Sequence, residues 1–176
     1  MKACAEYIKG DVCDLGCNHG ACTFLMMDFN DVKSIHGVDI NLKALELAYD
    51  TASKITTNIK FNFYRANLME MPIEDEKFDF VMSFHTLEHI FPNDVHKVVS
   101  EIHRIMKPNA HVLISIPYDH AYPDAHHVAF YKEDTLKDLF ESHGFETKEC
   151  FKDDRFYQKD LLTAIFTKPA GVHKED

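Results

Sequence analysis

The chain has 176 residues, 45% hydrophobic and 27% charged, which suits one soluble globular domain with a real core. With 29 acidic against 19 basic residues the formal charge is −10, which argues against a broad phosphate-binding surface and so against duplex nucleic acid as a partner. No apolar run approaches the roughly 20 residues that cross a bilayer, and no apolar h-region follows Met1-Lys2-Ala3-Cys4-Ala5-Glu6, so a cytoplasmic protein without a membrane span is expected.

Taken in order, Lys2 to Lys9 suit two helical turns before Gly10-Asp11 breaks them. The stretch Val12-Cys13-Asp14-Leu15-Gly16-Cys17-Asn18-His19-Gly20 follows, a short apolar run ending on a carboxylate and then two glycines bracketing a polar turn. Ala21 to Met27 reads as the first turns of a helix. Strand, glycine turn and helix in that order let a ligand approach bare backbone, with helix N-terminal amides pointing at it. A second strand, Ser34 to Asp39, also ends on an acid, placed to accept hydrogen bonds from the two hydroxyls of a ribose. A nucleoside derivative is the expected ligand. Cys13 and Cys22 read as small apolar core residues, and five cysteines without a CxxC pair suit a reducing compartment.

Asn41 can cap a helix whose apolar positions are Leu42, Leu45, Leu47, Ala48 and Ala52. Ile59 to Tyr64 alternates and predicts a third strand, and Phe78 to Phe84 a fourth, with a loop over Arg65 to Pro72 between them. Pro92-Asn93-Asp94 starts a helix running to Met106, with Val95, Val98, Val99, Ile102 and Ile105 on one face. Lys107-Pro108-Asn109 stops it, and His111 to Ile116 is a fifth strand closed by Pro117. After a long polar loop, a helix from Lys132 to His143 ends at Gly144 in the C′ position. Strands near Phe145 to Phe151 and Leu161 to Thr167 finish the chain. This alternation predicts a doubly wound α/β sheet, with its site in the loops after the strand C-termini: Asp14 to Gly20, Asp39, Asn67, Phe84 to His89, and Pro117 to Tyr131.

With these elements in place, the chain resembles a class I S-adenosylmethionine-dependent methyltransferase over nearly its whole length. Asp14-Leu15-Gly16-Cys17-Asn18-His19-Gly20 matches the family's glycine motif, and Asp39 its ribose-binding acid. Phe78 to Ile90 resembles its fourth-strand motif, and Lys107 to Pro117 its Lys-Pro-Gly-Gly turn and fifth strand. The ending from His127 to Tyr131, then Leu136 to Phe145, is similar to the ubiquinone-biosynthesis-like branch, methyltransferase types 11 and 23. The resemblance implies a Rossmann-like seven-stranded sheet of order 3-2-1-4-5-7-6 with the seventh strand antiparallel, in a single domain over 1–176. It implies S-adenosylmethionine as cofactor, held by Asp14, Gly16, Gly20, Asp39, Asn67 and Leu68 with backbone near Phe84 and His85. Asp14 would lie near the methionine amino group, and Asn67 near the adenine amino group.

The chain departs from the pattern in three places. Asn18 stands where a glycine is usual and Asn67 where an acid is common. About ten residues precede the first strand where members have a longer helical cover, so an open site and closure by a second subunit, a homodimer, both stay open.

The implied reaction is in-line methyl transfer to a small-molecule acceptor, with a hydroxyl favoured by the quinone-modifying branch. An acceptor that loses a proton needs a base, and His127 or His126 in the loop from Tyr118 to His127 is the candidate, with tyrosines shaping the pocket. Within the same loop, His120, Asp124 and His126 could instead hold a divalent metal, or the histidines could simply be surface groups. No resident metal is assigned. A non-catalytic nucleoside-binding module remains the alternative. His85-Thr86-Leu87-Glu88-His89 also matches the H-x-x-E-H pattern of zinc peptidases, which needs both histidines on one helix face and leaves a third ligand unassigned. Glu88 and His89 read equally well as packing residues at a helix start. NAD is disfavoured, because G-x-G-x-x-G requires three glycines and only Gly16 and Gly20 are present.

Overall fold

The computed structural model describes residues 2–120, 124–153 and 160–171. Its strands run over Gly10–Leu15 (β1), Val32–Asp39 (β2), Lys60–Arg65 (β3), Phe78–Phe84 (β4), Met106–Pro117 (β5), Glu146–Asp153 (β6) and Leu161–Thr167 (β7). They form one sheet in the order β3-β2-β1-β4-β5-β7-β6. β1 pairs in parallel with β2 and β4, β2 with β3, and β4 with β5, whereas β7 runs antiparallel to both β5 and β6. The expected order and the antiparallel seventh strand are both present. Central strands are buried on both faces, which is why β4 and β7 read as near-continuous apolar runs.

Alternate residues serve two cores. On one face, Val12, Ile35, Phe80, Met82, Leu113 and Ile165 pack with Ile8 and Met26. On the other, Cys13, Leu15, Val81, Val112, Ile114 and Phe166 pack under two helices, Val95–Ile105 (α2) and Glu133–Glu141 (α3). α2 buries Val95, Val98, Val99, Ile102 and Ile105, the five positions that its periodicity named. It begins at Val95, after the expected Pro92-Asn93-Asp94 start, because Asp94 occupies the N-cap position. Gly144 has φ +85°, which only a glycine adopts freely, and it ends the segment after α3 as expected.

Three expectations need correction. The segment after the glycine turn is not an α-helix but a 3-10 helix, Thr23–Asp28, since residues 16–31 must hold both the turn and the return to β2. Lys2–Tyr7 is likewise 3-10, and Tyr7 stacks on His111 with ring centroids 4.2 Å apart. The helix after β2, Leu42–Ser53 (α1), has the Asn41 cap, whose Oδ1 accepts from the Lys43 and Ala44 amides. It buries only Ala44, Leu45 and Ala48, against Cys17 and Phe63; Leu42 and Leu47 face solvent. α1 lies at the sheet edge beside β3, so one narrow stripe suffices to cover it.

Candidate functional site

At the C-terminal ends of β1, β2 and β4 lies a cavity of about 380 Å³, walled by Gly16, Asn18, Asp39, Ile40, Ala66, Asn67, Leu68, His85, Thr86, His89 and Ile90. This is where a doubly wound sheet reverses its winding and where its ligands bind. Gly16 is glycine for two reasons. Its φ is +73°, and a Cβ there would lie 2.3 Å from Thr86 Oγ1. Thr86 in turn donates through Oγ1 to the Leu15 carbonyl at 3.1 Å, which fastens the β4 end to the glycine turn. Asn18 takes φ +49°, a conformation that asparagine tolerates better than most residues.

Asp39 is the anchor of this wall. Its Oδ2 accepts from the Asn18 amide and its Oδ1 from the Asn41 amide, each at 2.8 Å. Each carboxylate oxygen has a second lone pair, so Asp39 can still accept hydroxyl donors from the cavity. Asn67 Oδ1 is already engaged by the Met69 amide at 3.0 Å, a constraint that its residue type did not reveal.

Of the residues expected at a cofactor, Gly16, Asp39, Asn67, Leu68 and His85 line the cavity. Asp14, Gly20 and Phe84 do not. Asp14 sits beneath the turn, 2% exposed, and its Oδ2 accepts from Thr23 Oγ1 at 2.6 Å. Burial pushes its carboxyl up to about 7, with the charge of Asp39 adding to the effect and the Thr23 hydrogen bond opposing it. Gly20, at φ +90°, gives room to Phe24, whose ring would come within 2.6 Å of a Cβ. Phe84 packs toward the core beneath.

At one end of the cavity stands a cluster of Glu88, His89 and His127. One ligand-capable atom from each lies within 4.8 Å of the others. Leu87–His89 forms a single 3-10 turn, and the Val128 and Ala129 amides both donate to the Glu88 carbonyl, at 2.8 and 3.1 Å. That double bond to the backbone brings the loop before α3 against the end of β4. The His89 and His127 rings meet edge-on with centroids 5.0 Å apart. Thus His127 reaches the site, while His126 does not: its side chain is 85% exposed and pairs with Asp124 at 2.8 Å.

The expected trio of His120, Asp124 and His126 does not assemble, since His120 packs on Phe130 with centroids 4.0 Å apart. Tyr118 forms an isolated bridge with Tyr131, and Tyr122 lies outside the described residues. Nor does the H-x-x-E-H pattern place its two histidines on one helix face, because the turn is too short. Sequence reading missed Thr86 and the Glu88–His89–His127 cluster. Thr86 sits inside a recognisable motif, but only the fold brings His127 to Glu88. Among the described residues, burial pushes the thiols of Cys13, Cys17, Cys22 and Cys150 upward, away from the reactive thiolate.

The family model described as a methyltransferase domain matches residues 13–114, more than half of the chain. An O-methyltransferase of Pyrenophora dematioidea is 27% identical over 150 residues, covering 79% of this chain and 55% of that protein. The 27-O-demethylrifamycin SV methyltransferase of Amycolatopsis mediterranei is 32% identical over 101 residues, covering 57% and 36%. The chain therefore spans about half the length of these curated relatives, or less. Among solved structures, a SAM-dependent methyltransferase of Methanosarcina mazei superposes with a TM-score of 0.80 at 20% identity, covering 97% of this chain and 98% of that one.

Proposed function

Because the chain belongs to the methyltransferase-domain family, whose cofactor is S-adenosylmethionine, we propose that it transfers the cofactor's methyl group to an oxygen of a small-molecule acceptor. Support for the oxygen comes from relatives whose names specify O-methylation, together with imidazoles at the acceptor end of the cavity. The observation that carries the cofactor assignment is Asp39, which organises two turn amides while facing the cavity.

The residues present fit that cofactor. Gly16 offers backbone that a Cβ would block, Asp39 offers acceptors for a ribose diol, and Ile40, Ala66 and Leu68 offer apolar walls for a purine. Asn67 retains an acceptor lone pair and its amide donors for the ring edge. When bound, S-adenosylmethionine supplies a methyl group on a cationic sulfur that is already a good leaving group. The protein's task is therefore alignment more than activation. Asp14, buried beneath the turn and outside the cavity lining, acts on the positive amino group as a nearby charge and not by contact, and His85 and Thr86 close the cavity near the reacting end. His89 and His127 stand where an acceptor oxygen would arrive.

The test is transfer from S-adenosylmethionine carrying an isotope-labelled methyl group to a panel of phenols and aliphatic alcohols, read by product mass. A labelled methyl ether supports the assignment. S-adenosylhomocysteine binding without label in any acceptor would favour a non-catalytic binding module.

A further inference from the structure

We propose that Glu88, His89 and His127 form a site for a divalent transition metal at the edge of the cavity, with an open coordination position for the acceptor's oxygen. Three independent observations converge on it. Their ligand atoms lie within 4.8 Å of one another. Glu88 is 2% exposed, yet neither carboxylate oxygen accepts a hydrogen bond. His85 Nδ1 comes within 3.2 Å of Glu88 Oε1, but not in hydrogen-bonding geometry. A buried carboxylate that accepts no hydrogen bond is costly in a protein interior, and a metal cation beside the His85 contact would supply the bonds that Glu88 lacks.

The third observation concerns tautomer. His89 Nδ1 lies 3.1 Å from the His126 carbonyl oxygen, which can only accept. Nδ1 therefore carries a hydrogen, which leaves Nε2 as the ring nitrogen that faces an ion. A ligating histidine is held in this way in most metal sites, its second nitrogen donating to a carbonyl or carboxylate. The backbone that sets this bond is the same loop that the Glu88 carbonyl ties down.

Donor chemistry selects the ion. Two imidazoles and one carboxylate suit zinc, cobalt, manganese or iron, whereas magnesium and calcium prefer all-oxygen sites. A tetrahedral ion with bonds of about 2.0–2.1 Å needs ligand atoms about 3.4 Å apart. The half-buried His127 rotates to close that difference on the fixed Glu88, and the exposed His89 tilts about its Nδ1 bond without breaking it. Three protein ligands leave a fourth position, and His89 also lines the cofactor cavity, so that position opens toward the acceptor.

This role rests on the methyl-transfer reading above. A hydroxyl bound to the ion loses its proton to solvent more readily. The oxygen's electron pair then forms the O–CH3 bond as the C–S bond breaks, and that bonding pair returns to sulfur as a neutral thioether. His127 thus serves as a ligand and not as a free base. With one position open, the ion takes the acceptor through a single hydroxyl oxygen.

The experiment titrates CoCl2 and ZnCl2 into the chelator-treated full chain, followed by calorimetry and by the visible absorption of cobalt. One equivalent should bind, with a cobalt band enhanced by low coordination. Affinity should fall at least tenfold in Glu88→Gln and in His127→Gln, and be unchanged in His126→Gln, which removes the exposed Asp124 partner. Circular dichroism of each variant checks folding, and the half-buried His127 makes its variant safer than that of Glu88, which is 2% exposed. Failure to bind either ion, equal binding by wild type and His127→Gln, or loss confined to His126→Gln would each overturn the site. S-adenosylhomocysteine binding by the same samples separates the two claims. Homocysteine-nucleoside binding without cobalt binding overturns only the metal, and cobalt binding without it overturns only the methyl-transfer reading.

Discussion

Asp39 Oδ2 accepts the Asn18 amide hydrogen at 2.8 Å, so the acid that ends β2 holds the turn that follows β1. One side chain thereby shapes one wall of the cavity and presents acceptors to its contents. Asp39→Ala should lose both effects. We expect S-adenosylhomocysteine to bind roughly thirtyfold more weakly, about 2 kcal/mol, which is the range for hydrogen bonds to a charged group. Calorimetric titration of wild type and variant checks it; equal affinity would remove Asp39 from the site.

Gly16 tests the close approach of the turn to β4. Gly16→Ala meets both a positive φ and the Thr86 side chain, so it should destabilise the fold by about 2 kcal/mol or more. In a Thr86→Ala background the same change should be milder, because part of the clash is gone. Urea unfolding of the four proteins gives the coupling. An identical effect in both backgrounds would mean that the two side chains do not meet.

Asp14 predicts a pH dependence of binding. Its carboxyl, pushed up to about 7 by burial, is largely protonated in the free protein below that pH. A cationic amino group favours the ionised form, so binding must release a proton there. Affinity for S-adenosylhomocysteine should therefore fall as pH drops below about 7, by up to tenfold per unit. Asp14→Asn should flatten this profile. A wild-type profile that is level from about pH 6 to about pH 7 would separate Asp14 from the amino group.

His36 predicts a pH dependence of stability. Ser34 Oγ gives its hydrogen to Asp11 Oδ1 at 2.6 Å, and so accepts from His36 Nε2 at 2.8 Å, while Tyr64 OH lies 3.2 Å from Nδ1. The neutral ring is satisfied on both sides. Burial lowers its pKa from 6.5 to about 4, with Lys77 adding to the shift and Asp11 opposing it. In the unfolded chain the ring takes up a proton near pH 6.5, in the folded chain only near 4. The stabilisation is therefore present above about 6.5 and is lost as pH falls toward 4. Asp14 acts in the opposite direction over this window, so the comparison with His36→Gln isolates the histidine. Wild type should lose more stability than the variant between about pH 7 and about pH 5 in urea titrations. Parallel losses would contradict it.

Much of the fold was legible because its cause is local. β4 and β7 begin and end where their apolar runs do, since strands buried on both faces need no alternation. Gly16 and Asp39 were findable because a turn glycine and an acid each follow a strand end, and Asn67 because it lies in the loop after the third strand. Leu42 and Leu47 misled because helical periodicity cannot tell an edge helix from a central one. The 3-10 helix over Thr23–Asp28 escaped notice because the limit on its length is set by the start of β2. His127 is a different case. The loop histidines were all plausible, and only the amides of Val128 and Ala129 on the Glu88 carbonyl decide which one turns inward.

Cofactor binding by this chain is tested most directly by the thermal midpoint of the purified protein with and without saturating S-adenosylhomocysteine, beside NAD as a control. A ligand at about 100 times its dissociation constant adds about 2.7 kcal/mol to the folded state. S-adenosylhomocysteine should raise the midpoint clearly and NAD should leave it unchanged. An unchanged midpoint with S-adenosylhomocysteine, or an equal rise with NAD, would contradict the cofactor assignment.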